Sequence, residues 1–270
     1  MAKRPKTVEN CDVPAKKKAF GQHFLRDNSV VENMIKRVDV ENGYNVLEIG
    51  CGDGFLTRAI LEQGSCKKLL CFEIDPEWYE FVRKTVRDRD TRLDIRLENV
   101  LDFDWRNLEK FQPLVMLANL PYQITFPILY RIQQCKGLFK EGVVMIQEEV
   151  AQKIVAGSGR NYGYVSLFLQ HNFELELLDR IAPEAFEPPP KVYSRLLYFK
   201  PRFDALEIKN EAKFWKFVKI CFASPRKTLK NNLLAAGFDI SLFSGELLAL
   251  RAQQMNFDDF LVIWDKLNQR

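Results

Sequence analysis

The residues Asn119-Leu120-Pro121-Tyr122 close an apolar run, Val115 to Ala118, that reads as a buried strand. An amide, a rigid proline and an aromatic ring at a strand end suit one kind of chemistry. The exocyclic amine of adenine is a poor nucleophile, because its lone pair is delocalised into the ring. The side-chain carbonyl of Asn119 and the backbone carbonyl of Leu120 could accept its two hydrogens and favour a pyramidal nitrogen. Pro121 stiffens the turn and brings no competing N–H. Tyr122 offers a face on which an extruded base can stack. No strong base is needed, since the proton becomes acidic only as the new bond forms, so positioning and aligned dipoles carry the catalysis. Taken alone, the tetrapeptide reads equally well as a strand followed by an ordinary proline turn.

Two further motifs shift that balance. "VLEIGCGDG" places Glu48, Gly50, Gly52 and Gly54 at the end of an earlier strand. Glycines there let the backbone turn sharply and approach a ligand closely. The spacing is G-x-G-x-G without the dinucleotide fingerprint, which suits an adenosyl sulfonium better than a pyrophosphate. The next strand ends at Glu73, 23 residues beyond Gly50, where an acid can accept hydrogen bonds from both hydroxyls of a ribose. A third strand end, "LENVLDFDW", offers Asn99 and Asp102 as acceptors for an adenine amino group.

These residues need a scaffold of alternating elements. "YNVLEIG" leads into "FLTRAILEQG" and "KLLCFEID" into "PEWYEFVRKTV"; "RLDIRLENV", "PLVMLAN" and "EGVVMIQE" follow, with helical patterns after the last two. That alternation predicts a parallel sheet covered on both faces. "FELELLD" and "SRLLYFK", separated by the proline-rich "IAPEAFEPPPKVY", are expected to form an antiparallel pair at one edge. Beyond Pro201 only helical patterns remain. Phe214, Val218 and Phe222 share one face, with Lys209, Lys213 and Lys216 on the other, and Ser244 is placed to cap a later helix. The expected organisation is a flexible basic arm over residues 1–19, an α/β domain over 20–200 and a small all-α domain over 201–270.

The net charge is only +4, but residues 1–26 carry +5 and residues 209–230 carry +6, leaving −7 for the rest. Basic clusters at two places suit a polyanionic partner, although solvated surface segments would look the same. No apolar run reaches the roughly 20 residues that span a bilayer. The first residues lack a secretory hydrophobic segment, and Glu9 and Asp12 do not suit a transit peptide, so a cytoplasmic address is expected. The cysteines (Cys11, Cys51, Cys66, Cys71, Cys135, Cys221) form no C-x-x-C pair, and the two histidines are far apart, so no metal site is expected.

In order along the chain, "FGQHFLRD", "VLEIGCGDGFLT", "FEID", "NLPYQITFP", "MIQEEVAQKIVA", "NYGYVSL" and "PEAFEPPPKVYS" resemble the KsgA-type ribosomal RNA small-subunit adenine dimethyltransferases, from about Lys17 to Asn231. The resemblance implies a class I S-adenosylmethionine-dependent methyltransferase fold, Rossmann-like with a seven-stranded, mainly parallel sheet, plus a helical C-terminal domain. It implies transfer of four methyl groups from S-adenosyl-L-methionine to two adjacent adenosines in a hairpin loop near the 3′ end of small-subunit rRNA, and a part in small-subunit biogenesis. By the same resemblance His23, Leu25, Gly50, Glu73, Asn99 and Asn119 would contact the cofactor. Asn119 and Leu120 would hold the target amine, and Phe186 would flank the base opposite Tyr122. The RNA or small-subunit precursor would meet Lys213, Lys216, Arg226, Lys227 and Lys230, and the protein would act as a monomer. Three positions depart from the family pattern: Asn99 where Asp is usual, Pro225 where Arg is usual, and Tyr164 after Gly163 where Arg is common.

Other functions compete on the same fold. A large-subunit rRNA methylase of the antibiotic-resistance type more often has Ile at the position of Leu120. A non-catalytic assembly or nucleic-acid-binding factor would not need the intact tetrapeptide and glycine loop. A DNA adenine methyltransferase fits the basic tail and the Phe186 loop less well.

Overall fold

The computed structural model describes residues 13–17, 22–39 and 43–268. Of the arm expected over residues 1–19, only 13–17 fall within the described residues. From there the chain runs through a two-residue strand β1 (Phe24–Leu25), helix α1 (Asn28–Arg37), β2 (Asn45–Ile49), α2 (Phe55–Gln63), β3 (Leu69–Glu73), α3 (Pro76–Val82), β4 (Leu93–Leu97), β5 (Leu114–Asn119), α4 (Thr125–Gln134) and β6 (Phe139–Gln147). Next come α5 (Glu148–Val155), α6 (Tyr164–Asn172), β7 (Phe173–Ile181), β8 (Phe186–Glu187) and β9 (Ser194–Pro201). The remaining elements are helices α7 (Glu211–Cys221), α8 (Leu229–Ala235), α9 (Gly245–Ala249) and α10 (Phe257–Asn268).

Seven strands form one sheet in the order β4-β3-β2-β5-β6-β9-β7. The pairs β2–β3, β3–β4, β2–β5 and β5–β6 are parallel, and β9 runs antiparallel to β6. The central strands read as apolar runs because both faces are covered: Leu114 to Ala118 are all fully buried. Winding proceeds outward from β2 through β3 to β4, then resumes on the other side of β2 with β5. Such a reversal opens a crevice beyond the carboxyl ends of the two strands, here the ends that carry Gly50 and Asn119.

Local signals account for the helix starts that matter. Asp27 caps α1 by accepting from Ser29 N at 2.9 Å. Asp75 caps α3 by accepting from Glu77 N at 3.1 Å, and Pro76 follows it in the first helical position, where a missing N–H costs nothing. Ser244 caps α9 as expected, accepting from Leu247 N at 3.3 Å.

The expected edge pair holds, since β9 and β7 are the last two neighbours in the sheet. The small second sheet, in which Leu25 pairs with Phe186 and Phe24 with Glu187, was not anticipated. Two residues are too few for an alternating pattern to register. The division of the chain also differs from the expected cut at residue 200. One compact unit comprises Met1–Glu148 with Leu177–Pro201, and the other Glu149–Glu176 with Arg202–Arg270. The segment carrying α5 and α6 belongs to the helical unit; it is tied together by its own side chains and packs on α7. Ser166 Oγ donates to Lys153 O at 2.6 Å, Gln170 Nε2 donates to the carbonyls of Ile154 and Ala156, and Phe168 packs edge-on against Trp215 of α7 at 5.1 Å.

Candidate active site

A cavity in the first unit opens at the crevice between β2 and β5. It is lined from β2 and its glycine loop, from the ends of β3 and β4, from the turn after β5 and from residues 22–25. His23, Leu25, Gly50, Glu73, Asn99, Asn119, Leu120 and Tyr122 all face it, so eight residues picked from distant parts of the chain share one wall system.

The glycine loop is a cradle that side chains would fill. Gly50 and Gly52 have φ of +74° and +53°, conformations that L-residues rarely adopt. A Cβ at Gly52 would lie 2.4 Å from the Phe24 ring, so only glycine lets Phe24 rest on the loop. Glu73, 5% exposed, ties the loop to β3. One carboxylate oxygen accepts from Ile74 N and Asp75 N, both at 2.9 Å; the other accepts from Gly52 N at 2.9 Å and faces the Cys51 thiol at 3.7 Å. Burial pushes its pKa up, and the three backbone N–H groups oppose that. Its acceptor sites are therefore largely committed, and the thiol holds the weakest of them. Deeper in the wall, Glu48 is 1% exposed and takes a 2.8 Å hydrogen bond from Thr57 Oγ1. Burial raises its pKa to about 8, so at neutral pH it is a neutral acid.

The turn after β5 carries the proposed chemistry. Leu120 N donates to Met145 O at 3.1 Å, which fixes the turn to β6. Asn119 Nδ2 donates to the backbone carbonyl of His23 at 3.2 Å. Tyr122 starts a short 3-10 turn; its hydroxyl shares a 2.6 Å hydrogen bond with Ser194 Oγ, and its ring stacks on His23 with centroids 6.0 Å apart. Burial raises the Tyr122 pKa, with the Ser194 hydrogen bond opposing, so the phenol stays neutral and offers a ring, not a base.

Two expectations change. Phe186 is not among the residues lining the cavity: it is 4% exposed and belongs to the core with Leu25, its partner in the β1–β8 ladder, and with Ile181. Asp102 does not line the cavity either. It accepts from Asn99 Nδ2 at 2.7 Å, while Asn99 Oδ1 accepts from Leu101 N. This gives the Asn99 departure a physical reason, since an Asp there would set two carboxylates side by side. Sequence reasoning missed Ile74, an apolar residue 48% exposed at the cavity, and Gln22. The first could have been found as the residue following Glu73.

In the second unit, Lys213 and Lys216 lie on the exposed face of α7, Arg226 and Lys227 in the turn beyond it, and Lys230 on α8. None has an acidic partner among the described residues. Pro225 falls between the end of α7 at Cys221 and the start of α8 at Leu229. Tyr164 stacks on Phe168 with centroids 5.5 Å apart. Among the described residues no cluster of three or more His, Cys, Asp or Glu is placed to hold a metal ion, and no helix is long and apolar enough to cross a membrane.

The family model described as ribosomal RNA adenine dimethylase matches residues 13–255. The chain belongs to the ribosomal RNA adenine dimethylase family. Within that family it is 36% identical over 255 residues to the ribosomal RNA small subunit methyltransferase A of Syntrophotalea carbinolica, covering 90% of this chain and 94% of that one. It is also 36% identical over 222 residues to the protein of that name from Mesomycoplasma hyopneumoniae strain J, covering 82% of each. Among solved structures, a dimethyladenosine transferase from Plasmodium falciparum superposes with a TM-score of 0.75 at 23% identity, covering 92% of this chain and 98% of that one. The 23S rRNA methyltransferase ErmE superposes with a TM-score of 0.70 at 20% identity, covering 91% and 100%. Both show the class I methyltransferase fold. One is by name a dimethyladenosine transferase and the other a 23S rRNA methyltransferase, so fold alone does not select the substrate.

Proposed function

We propose that this ribosomal RNA adenine dimethylase uses S-adenosyl-L-methionine to dimethylate the exocyclic amines of two adjacent adenosines in a hairpin loop near the 3′ end of small-subunit rRNA, during small-subunit biogenesis. The observation that carries this reading is the meeting of the Asn119–Tyr122 turn with the glycine cradle and Glu73 in one cavity. The cradle suits a nucleoside lying across the strand ends. Gly50 and Gly52 leave room for the methionine part, and Glu73 takes the ribose hydroxyls, giving up its hydrogen bond with the Cys51 thiol. Ile74 covers the adenine on one side, with Asn99 at its edge. His23 and Leu25 close the cofactor side.

Bound there, S-adenosylmethionine supplies an electrophilic methyl group. The protein's part is to aim the nucleophile. Asn119 Oδ1 and the Leu120 carbonyl accept the two amine hydrogens, drawing the lone pair out of conjugation, while the Tyr122 ring supports the extruded base. The amine proton leaves after the N–C bond has formed, so a neutral Tyr122 and a neutral Glu48 fit the reaction. Lys213, Lys216, Arg226, Lys227 and Lys230 meet RNA phosphates. We read the protein as a cytoplasmic monomer.

The test is transfer of labelled methyl groups to unmodified small and large ribosomal subunits, with nucleosides identified after digestion. Dimethyladenosine from small subunits alone is expected. Label from large subunits alone would overturn the substrate, and no label from either, with cofactor still bound, would overturn catalysis. Asn119→Ala should remove transfer by a factor of about 100 or more, the scale for losing one aligned polar group, while the far-ultraviolet spectrum stays unchanged.

A further inference from the structure

An asparagine amide has two nearly isosteric orientations, related by a half-turn, and only one of them serves the reaction proposed above. With Oδ1 towards the substrate, the amide accepts from the target amine. With Nδ2 there, it opposes one N–H₂ to another. In this structure the choice is made by a neighbour that can only accept. The backbone carbonyl of His23 lies 3.2 Å from Nδ2 of Asn119; turning the amide over would bring two oxygens together. Oδ1 accepts no hydrogen bond from the described residues, so the acceptor is left for the substrate.

The segment that offers this carbonyl is held at both ends. Upstream, Gln22 Nε2 donates to Asp75 Oδ2 at 3.1 Å, and Lys17 Nζ reaches Asp75 Oδ1 at 2.8 Å and Glu77 at 3.0 Å. Lys17 N also donates to Gln22 Oε1 at 2.6 Å. The Asp75 side chain has no solvent exposure, so lifting the segment would strand a buried carboxylate. Downstream, Arg26 pairs with Asp53 of the glycine loop at 2.6 Å and with Glu187 at 3.2 Å, and Arg26 N donates to Ala185 O at 2.8 Å. Between the two clamps, the Phe24 ring rests on Gly52 and packs against Trp78 at 4.8 Å. His23 Nδ1 meets Pro188 O at 2.7 Å, which requires the proton on Nδ1.

We propose that the segment Gln22–Arg26 acts as a strap that selects the productive orientation of the Asn119 amide through the His23 carbonyl, with Lys17, Gln22 and Arg26 as its positioning residues. The proposal rests on the methyl-transfer reading and adds a role for a part of the chain outside the reacting groups.

The test uses the full chain with Lys17→Met and Gln22→Leu combined to release the upstream clamp, and Lys17→Arg as the conservative control. Single-turnover methyl transfer at saturating cofactor should slow about tenfold on release, the worth of one hydrogen bond, while Lys17→Arg should keep most of the parent rate. In an Asn119→Asp background, where both atoms are oxygens and no orientation can be selected, release should not slow transfer. The same slowing in both backgrounds would overturn the proposal. A second readout needs no RNA. With S-adenosylhomocysteine bound, one Asn119 side-chain amide proton should resonate downfield and exchange slowly, and lose both features on release. If these features persist in the released protein, the strap does not set the amide. Absence of methylation by the unmutated protein would instead count against the methyl-transfer reading, and the amide proton would still decide this one.

Discussion

Replacing Glu48 by Gln probes how completely the cavity wall excludes water. Glu48 is 1% exposed, it accepts from the Thr57 hydroxyl at 2.8 Å, and burial raises its pKa to about 8. In the unfolded chain the same carboxyl titrates near 4.3. Below that pH both states hold the proton and burial carries no ionisation cost. Between the two values the folded chain keeps a proton that the unfolded chain releases, so stability falls as pH rises, and above about 8 the loss is complete. Between about pH 5 and pH 7, two units at ~1.36 kcal/mol each amount to a loss of about 3 kcal/mol from this group. A glutamine has the same size, can still accept from Thr57, and never ionises. Urea unfolding of both proteins at the two pH values reads the difference directly. Glu48→Gln should gain about 3 kcal/mol on the parent across that interval. Parallel pH dependence in the two proteins would show that Glu48 ionises freely and that the wall is wet.

Glu73→Ala should weaken cofactor binding by calorimetry and also lower stability by about 1–3 kcal/mol, because three backbone N–H groups lose their acceptor. Loss of affinity with an unchanged melting temperature would contradict the anchoring role. Phe186→Ala should cost about 3–5 kcal/mol of stability in denaturant, as for other buried aromatics. A stable variant that fails only in transfer would return this ring to the substrate side. Combined substitution of Lys213, Lys216, Arg226 and Lys227 by Gln should weaken RNA binding and flatten its salt dependence by about 0.7 to 0.9 in slope for each phosphate left without a cation. An unchanged slope would reduce that patch to a solvated face.

The large elements were readable because their signals are local. Strands buried on both faces, such as the run from Leu114 to Ala118, are continuous apolar stretches, and the glycine spacing at 50, 52 and 54 marks a loop in left-handed conformations. Glu73 and Asn119 were found because each ends such a strand. What escaped depends on pairings between distant residues. The β1–β8 ladder joins Phe24–Leu25 to Phe186–Glu187, and no pattern within either pair announces the other. That ladder buries Phe186, whose aromatic type and proline-rich setting suggested a binding wall. The placement of α5 and α6 in the helical unit escaped for the same reason, since it rests on contacts such as Phe168 with Trp215. Asn99 was chosen as an acceptor by position alone. Its pairing with Asp102 depends on how the chain turns after β4.

The partners of the strap and of Tyr122 have a consequence for a chain emerging during synthesis. Asp75, Asp53 and Asn119 are made early, but Ala185, Glu187, Pro188 and Ser194, which hold Arg26, His23 and Tyr122, come at least 150 residues after the strap itself. Closing so long a loop is slow relative to forming local helices. A nascent chain that has produced every residue of the glycine cradle and the Asn119 turn therefore still lacks the strap's contacts with Ala185, Glu187 and Pro188. Every residue lining the cavity is made before Thr125, but the strap and the Tyr122 ring are fully anchored only when the edge strands arrive.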